Sequence, residues 1–284
     1  MKNKQLCIKN TKTHNIEHKL FIMNIFHKII SWLTTPIFIV VFYSTLCIFH
    51  VLQVVSLNLW KYKGHKKSVD YMAFWLMQGL YTLGARLPKM KQPNLPTDRP
   101  IIVVSNHQSI YDVPAILWTF RKHHPKFVSK KELEYGTPAI SYNLRHGGSV
   151  LIDRKDRRQA LVAMSKFSNY INENNYAGCI FPEGTRSKDG NMLPFKPAGL
   201  LMMFKAMAKN PPIIMPVVID NFWKMQRYNF KPIPFGINFQ LKVLEPIDMK
   251  VWLEEGNSST SLIAETEKRI KEALEEKRKF KKCF

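Results

Sequence analysis

The stretch IIVVSNHQSIYDVPAILWTFRK, residues 101–122, joins a strand pattern to a helix pattern and decides the fold class. Its first four residues are apolar and β-branched, as in a strand that is buried on both faces. Pro114 disfavours helical geometry at Val113 and is best tolerated in a first helical turn. We therefore expect a strand at 101–105, a loop, and a helix that begins near Asp112.

Strand-like and helix-like segments continue to alternate toward the C-terminus. Further predicted strands are 126–130, 149–154, 178–182, 213–219 and 238–244, and predicted helices are 113–122, 157–174, 198–209 and 258–279. This alternation predicts an α/β fold with a largely parallel sheet flanked by helices.

An uncharged apolar segment precedes this domain. Residues 33–60, LTTPIFIVVFYSTLCIFHVLQVVSLNLW, contain no Asp, Glu, Lys or Arg over 28 positions. About 20 apolar residues span a bilayer, so we expect a membrane-associated helix. It could cross the bilayer, or lie in one leaflet as a bent pair with the apolar stretch 71–87. A buried helix of a soluble protein is less favoured, because the uncharged run is long for one.

These patterns divide the chain into four parts. We expect a polar extension at 1–22, a membrane-associated helical region at 23–89, a proline-rich connector at 90–100 and the α/β domain at 101–284. Met23 could be the biological start, and we place no function upstream of it.

The charge balance indicates an anionic partner. There are 43 Lys+Arg and 21 Asp+Glu, a formal net charge of +22. Nucleic acid, an anionic membrane and a phosphorylated substrate all fit this charge. The four cysteines lie far apart without a CxxC pair, so neither a disulfide framework nor a zinc site is expected.

His107 and Asp112 are candidate catalytic residues. On one helix, five residues would place them about 140° apart, too far round to touch. In a loop at the carboxyl end of a strand, where α/β sheets place their active sites, the aspartate can turn back on the imidazole. A carboxylate on one ring nitrogen leaves the other free to take a proton from a hydroxyl. The alternative makes Asp112 a helix cap and His107 an ordinary loop residue.

A second polar turn, FPEGTRSKDG at 181–190, also leaves a predicted strand. Gly184 marks the turn, and Thr185 and Arg186 follow it. Arginine presents a planar pair of donors that suits phosphate oxygens, and Glu183 could orient the guanidinium or accept from a substrate hydroxyl. The alternative is an exposed charged turn. No GxxxxGK[ST] is present, so a nucleotide P-loop is not supported.

The two stretches together resemble the NHxxxxD and FPEGTRS signatures of the glycerolipid acyltransferases typified by 1-acyl-sn-glycerol-3-phosphate acyltransferase. SKKELEYGTP…GGSVLIDR and IIMPVVI resemble two further blocks in family order, so the resemblance covers about residues 75–245. The chain departs from the family at FKPAG, 195–199, where FKKGA is usual; Lys196 is kept. These departures bear on the acceptor more than on the reaction.

The resemblance implies acyl transfer from a thioester to a hydroxyl without a covalent enzyme intermediate. His107 would be the general base and Asp112 would hold it, while Asn106 would support the loop. The acceptor site would contain Glu183, Gly184, Thr185, Arg186 and Lys130. Arg186 and Lys130 would bind a phosphate, with Lys131 as the competing choice for the lysine.

We therefore expect a membrane-bound enzyme of phospholipid biosynthesis that converts lysophosphatidic acid to phosphatidic acid. The donor would be acyl-CoA or acyl-carrier protein, with no metal or redox cofactor and no nucleic acid, and anionic membrane lipid would be a partner. The composition favours the cytoplasmic face of a bacterial inner membrane. One alternative changes the acceptor to another lyso-lipid; another is a non-enzymatic basic protein, which leaves both motifs unexplained.

Overall fold

The computed structural model describes residues 2–153 and 155–282, with side chains from residue 25 onward except at 157, 277 and 279–282. Its helices are α1 (Lys2–Gly79), α2 (Asp112–Thr119), α3 (Ile140–His146), α4 (Arg157–Asn174), α5 (Pro197–Ala206), α6 (Met249–Glu254) and α7 (Ser259–Lys282). Its strands are β1 (Ile101–Ser105), β2 (Lys126–Lys130), β3 (Val150–Ile152), β4 (Ala177–Ile180), β5 (Ile213–Asp220), β6 (Gln240–Val243) and β7 (Ile247–Asp248).

The sheet has the strand order β3-β2-β4-β1-β5-β6, and β7 also pairs with β5. The first five strands are parallel, whereas β6 and β7 run antiparallel to β5. The predicted α/β fold with a largely parallel sheet is therefore confirmed. The parallel strands all end at one side of the sheet, which we call the carboxyl edge.

Strand β1 is buried on both faces, as its unbroken apolar run predicts. Ile101 and Val103 pack on the side covered by α1 and α2. Ile102 and Val104 pack on the opposite side, against residues of α4, α5 and α7. The C-terminal helix α7 therefore packs on the sheet, the preferred of the two positions considered for an amphipathic helix at 258–279.

Helix α1 is two helices joined at Lys61, whose backbone is not helical (φ 54°, ψ −148°). The two parts contact each other where the Gln53 amide donates to Met72 Sδ at 3.3 Å and the hydroxyls of Ser56 and Ser68 lie 3.2 Å apart. The segment thus has the bent-pair form, and we call residues 25–79 the helical hairpin. By length and composition, one helix in Ile25–Leu83 could cross a membrane.

One side of the hairpin's first helix packs along the α/β domain. The buried residues on this side are Ser31, Thr35, Phe38, Leu46 and Phe49, followed by Gln53 and Ser56, which contact the hairpin's second helix. The Ser31 and Thr35 hydroxyls accept hydrogen bonds from the backbone N–H groups of Phe235 and Ile233, each at 2.9 Å. The other side is apolar and exposed, with Trp32, Leu33, Ile37, Val40, Tyr43, Ile48, Val51, Leu52, Val55, Leu59 and Trp60.

The polar extension was predicted at 1–22. Met1 and the side chains of residues 2–22 lie outside the described part of the chain. Arg154, the last residue of the strand predicted at 149–154, is also outside it. The observed strand β3 covers only Val150–Ile152.

Candidate active site

The two motif loops meet at the carboxyl edge because their strands, β1 and β4, are parallel neighbours. Val104 is paired with Ile180 at the strand ends. Beyond that pair, the His107 backbone N–H donates to Glu183 Oε1 at 2.7 Å, and the Ser187 N–H donates to the His107 carbonyl at 2.8 Å. The NHQSIYD and FPEGTRS segments therefore form one site.

The structure brings His107 and Asp112 into contact. Nδ1 of the imidazole lies 2.7 Å from Asp112 Oδ2, and the Asp112 side chain is completely buried. The same oxygen accepts from the backbone N–H groups of Gln108 at 2.6 Å and Ser109 at 2.8 Å. These donors precede Asp112, so the carboxylate does not cap the following helix, and the alternative reading of Asp112 as an N-cap is wrong.

The His107 ring is held on two sides. Its face stacks on the Phe181 ring, with centroids 4.1 Å apart and planes 14° from parallel. Asp112 occupies Nδ1, and the side chain keeps 18% exposure. Because Nδ1 bonds to a carboxylate, Nε2 is the nitrogen that can take a proton from an incoming hydroxyl.

Two side chains next to His107 fix its loop, one to strand β5 and the other to the segments around Gly190 and Phe222. The Asn106 side chain donates to the Ile219 carbonyl and accepts from the Ile219 N–H, both at 2.8 Å. The buried Gln108 side chain donates to the Gly190 carbonyl at 3.2 Å and accepts from the Phe222 N–H at 3.1 Å. The supporting role expected of Asn106 agrees with these bonds, whereas that of Gln108 was not predicted; its only sequence signal is a polar residue directly after a candidate base.

Glu183 braces the two loops. It is buried, with Oε1 accepting from the His107 N–H and Oε2 from the Leu193 N–H at 2.9 Å. Burial raises the pKa of its carboxyl to about 7, and the two backbone N–H groups oppose that rise. The possibility that Glu183 orients the Arg186 guanidinium is therefore not what the structure shows. Both hydrogen bonds of Glu183 go to backbone N–H groups.

The predicted phosphate-binding residues lie at the same edge. Gly184 has a positive φ of 70°, and a Cβ there would be 3.4 Å from Lys196 Nζ, so this turn and this lysine are neighbours. Thr185 and Arg186 are exposed, and within the described chain no carboxylate pairs with Arg186. Lys130 is exposed at the end of β2, and Lys131 follows it, also exposed.

Helix α7 holds the far end of the FPEGTRS loop. The Arg278 guanidinium donates to the Gly190 carbonyl at 2.7 Å and pairs with Asp220 at 2.9 Å. Glu267 accepts from the Phe195 N–H at 3.0 Å. The sequence pattern of this helix does not indicate which loop it contacts, so its contact with the site was not predicted.

The region that contains the site is similar to known proteins. Residues 87–220 match the Acyltransferase family model. The chain is 27% identical over 201 residues to 1-acyl-sn-glycerol-3-phosphate acyltransferase alpha of Ovis aries, covering 69% of each chain. It is 30% identical over 187 residues to the human beta form, covering 64% of each.

A solved structure has the same fold. The crystal structure of the 1-acyl-sn-glycerophosphate (LPA) acyltransferase, PlsC, from Thermotoga maritima superposes with a TM-score of 0.70 at 25% sequence identity. The match covers 89% of this chain and 98% of that one.

Proposed function

We propose that this chain moves a fatty acyl group from a thioester to the sn-2 hydroxyl of lysophosphatidic acid, giving phosphatidic acid; its similarity to 1-acyl-sn-glycerol-3-phosphate acyltransferases supports this proposal. The observation that carries this proposal is the His107–Asp112 contact beside a turn whose exposed Arg186 pairs with no carboxylate of the described residues. A base and an anion-binding turn at one edge match an acceptor with a hydroxyl and a phosphate.

In this reaction His107 acts as the general base. Nε2 takes the proton of the acceptor hydroxyl while its oxygen attacks the thioester carbonyl carbon. The tetrahedral intermediate collapses, the carbon–sulfur bond breaks, and the leaving thiolate takes the proton back from the imidazolium. Asp112 stabilises the imidazolium and keeps the ring in the tautomer that presents Nε2. The products are an ester and a thiol.

Arg186 is the proposed partner of the acceptor phosphate. Its guanidinium has no carboxylate partner among the described residues and can present two donors to phosphate oxygens. Thr185 adds a hydroxyl, Lys130 a second charge, and Gly184 allows the turn. Glu183 contributes by holding the turn against the His107 loop. This chemistry calls for no metal or redox cofactor, and the thioester can be acyl-CoA or acyl-carrier protein.

For the membrane-associated region we propose insertion into one leaflet, at the cytoplasmic face of a bacterial inner membrane. The hairpin's first helix contacts the α/β domain along one side from Ser31 to His50. A helix that crossed the bilayer in this arrangement would carry charged parts of the domain into hydrocarbon, at a large free-energy cost. The exposed apolar side can enter a leaflet while the domain stays in water.

An acceptor and donor panel tests the function. Detergent-purified protein is offered labelled acyl-CoA or acyl-carrier protein, each with lysophosphatidic acid or with a zwitterionic lysophospholipid. We expect transfer to lysophosphatidic acid to be the fastest. A preference for the zwitterionic acceptor would keep the reaction and overturn the substrate, whereas no transfer from either donor would favour the non-enzymatic alternative.

A further inference from the structure

A basic and aromatic segment adjoins the site but has no part in the proposed chemistry. Residues 221–238, NFWKMQRYNFKPIPFGIN, contain three cationic and five aromatic residues and no Asp or Glu. The segment directly follows β5, so it begins at the carboxyl edge, where His107 lies.

The start of this segment is bonded to the catalytic loop. The Phe222 N–H donates to the Gln108 side chain at 3.1 Å, and the Gln226 amide donates to Ser109 Oγ at 3.3 Å. Gln108 and Ser109 are the two residues whose backbone N–H groups bond to Asp112. The position of the segment is therefore tied to that of the general base.

The end of the segment is bonded to the helical hairpin. The N–H groups of Ile233 and Phe235 donate to Thr35 and Ser31. On the same helix, next to these two hydroxyl residues, Trp32 and Leu33 expose 53% and 66% of their surface. The segment thus adjoins the apolar surface proposed to enter the membrane.

The tip of the segment, residues 227–231, presents charge without a counterion. Arg227, Tyr228 and Lys231 are exposed, and the Arg227 guanidinium lies 5.5 Å from the centre of the Tyr228 ring. In the described part of the chain, no carboxylate lies within ion-pair distance of Arg227 or Lys231. Cations next to tyrosine and tryptophan are typical of protein surfaces at the headgroup level of a bilayer.

We propose that residues 227–231 bind the anionic headgroups of the membrane surface, with Arg227 and Lys231 on lipid phosphates and Tyr228 at headgroup depth. The loop is then a second membrane contact beside the hairpin. It would orient the carboxyl edge toward the bilayer, so that His107 faces acceptors held in the leaflet. This inference rests on the proposed one-leaflet insertion and leaves the reaction itself unchanged.

Hydrogen exchange of the full-length protein in vesicles tests the loop. Backbone amides of 226–231 are followed in phosphatidylcholine vesicles and in vesicles that also contain the anionic lipid phosphatidylglycerol, to whose surface each nearby Lys or Arg is attracted. Because the N–H groups of Arg227, Asn229 and Lys231 already bond to carbonyls within the segment, we expect added protection only with the anionic lipid, reversed by salt. The double variant Arg227→Gln/Lys231→Gln should lower that protection by about thirtyfold, which corresponds to about 1 kcal/mol for each of the two cations.

The matched control is Lys205→Gln/Lys209→Gln, which removes the same charge from exposed lysines at the C-terminal end of α5. It should keep the protection. Equal protection of the wild-type loop in both vesicles would overturn the proposal, as would full protection in the Arg227/Lys231 variant.

Two further readouts separate this result from its premises. Flotation with neutral vesicles reports insertion of the hairpin, and transfer activity in detergent reports the proposed function; both should be unchanged in the Arg227/Lys231 variant. An increase in that variant's KM for detergent-dispersed short-chain lysophosphatidic acid, with loop protection retained, would mean that the loop binds the acceptor and would overturn the proposal.

Discussion

Nδ1 of His107 lies 2.7 Å from Oδ2 of Asp112, although five positions separate them in the sequence. The contact forms because the chain becomes helical only at Asp112, and the loop before it turns back on the carboxylate. Backbone N–H groups of Gln108 and Ser109 bond to the same oxygen. One buried carboxylate thus fixes the loop and the imidazole together.

Asp112→Asn should abolish most of the activity with little change in KM. The amide has nearly the same shape, but it provides one neutral oxygen where the carboxylate accepts three hydrogen bonds and stabilises the imidazolium. We expect kcat to fall by about 10²- to 10⁴-fold. Steady-state kinetics with lysophosphatidic acid measures this.

Asp248→Asn is the control for that variant. Asp248 caps α6 and pairs with Arg99, away from the carboxyl edge. Its substitution should lower the thermal midpoint and leave kcat unchanged. An Asp112→Asn protein with wild-type kcat would contradict the role given to Asp112.

Glu183 should make stability depend on pH. Burial raises the pKa of its carboxyl to about 7, whereas an exposed glutamate titrates near 4.3. Between these values the folded state binds more protons than the unfolded state, so the free energy of unfolding falls as pH rises through this window and levels off above it. Glu183→Gln should flatten this part of the pH profile.

Thermal midpoints of both proteins in detergent, from pH 4.5 to 8, measure that effect. The glutamine keeps one acceptor oxygen, so we expect a constant offset between the curves in addition to the change in slope. Parallel curves for the wild type and Glu183→Gln would show that Glu183 does not titrate as inferred.

Asn106→Leu should destabilise the fold and reduce turnover. The Asn106 amide satisfies both the N–H and the carbonyl of Ile219 in a buried setting. Each group left without a partner costs about 1–3 kcal/mol. We expect a lower thermal midpoint and a lower kcat, whereas Asn257→Leu, in an exposed loop, should alter neither. A stable, fully active Asn106→Leu protein would exclude the supporting role.

Arg186→Ala should weaken binding of the acceptor phosphate. Hydrogen bonds to a charged partner contribute about 1.5–3 kcal/mol, so KM for lysophosphatidic acid should rise about 10- to 100-fold with a smaller effect on kcat. Lys188→Ala, an equally exposed cation two residues away, is the matched control and should change KM little. Equal increases in both variants would indicate a diffuse charge effect and not a specific phosphate contact.

Local pattern sufficed for much of the fold. The strands at 101–105 and 126–130 and the helix at 157–174 have the predicted bounds, because each has a clear apolar run or helical period. The helix Ile140–His146 was missed; it is short and follows Ala139, which has a positive φ of 57° and gives no capping signal. The antiparallel direction of β6 is set by its pairing with β5, which no local pattern contains.

The bend of the hairpin could not be predicted from the sequence, for a related reason. The break at Lys61 has neither proline nor glycine at that position. The contacts between the two helices, such as Gln53 with Met72, are tertiary and fix the bend. The length of the apolar run therefore does not predict the bend.

Some contacts of the site could likewise be predicted from local sequence features, and others could not. The spacing of His107 and Asp112 predicted their contact, because strand end, loop and Pro114 are all local features. The bonds of Glu183 and Gln108 to other loops could not be predicted, because they depend on which strands are neighbours in the sheet. Side chains that bond to the backbone of distant loops leave no periodic signal.

The most direct test of the central claim is the rate of acyl transfer to lysophosphatidic acid by wild-type protein and by His107→Gln. The thermal midpoints of the two proteins are measured first, to show that both are folded. Glutamine preserves size and polarity but cannot take the proton of the hydroxyl. The account predicts that the wild type forms phosphatidic acid and that His107→Gln loses at least about 10²-fold in kcat. Transfer by His107→Gln at the wild-type rate would contradict it.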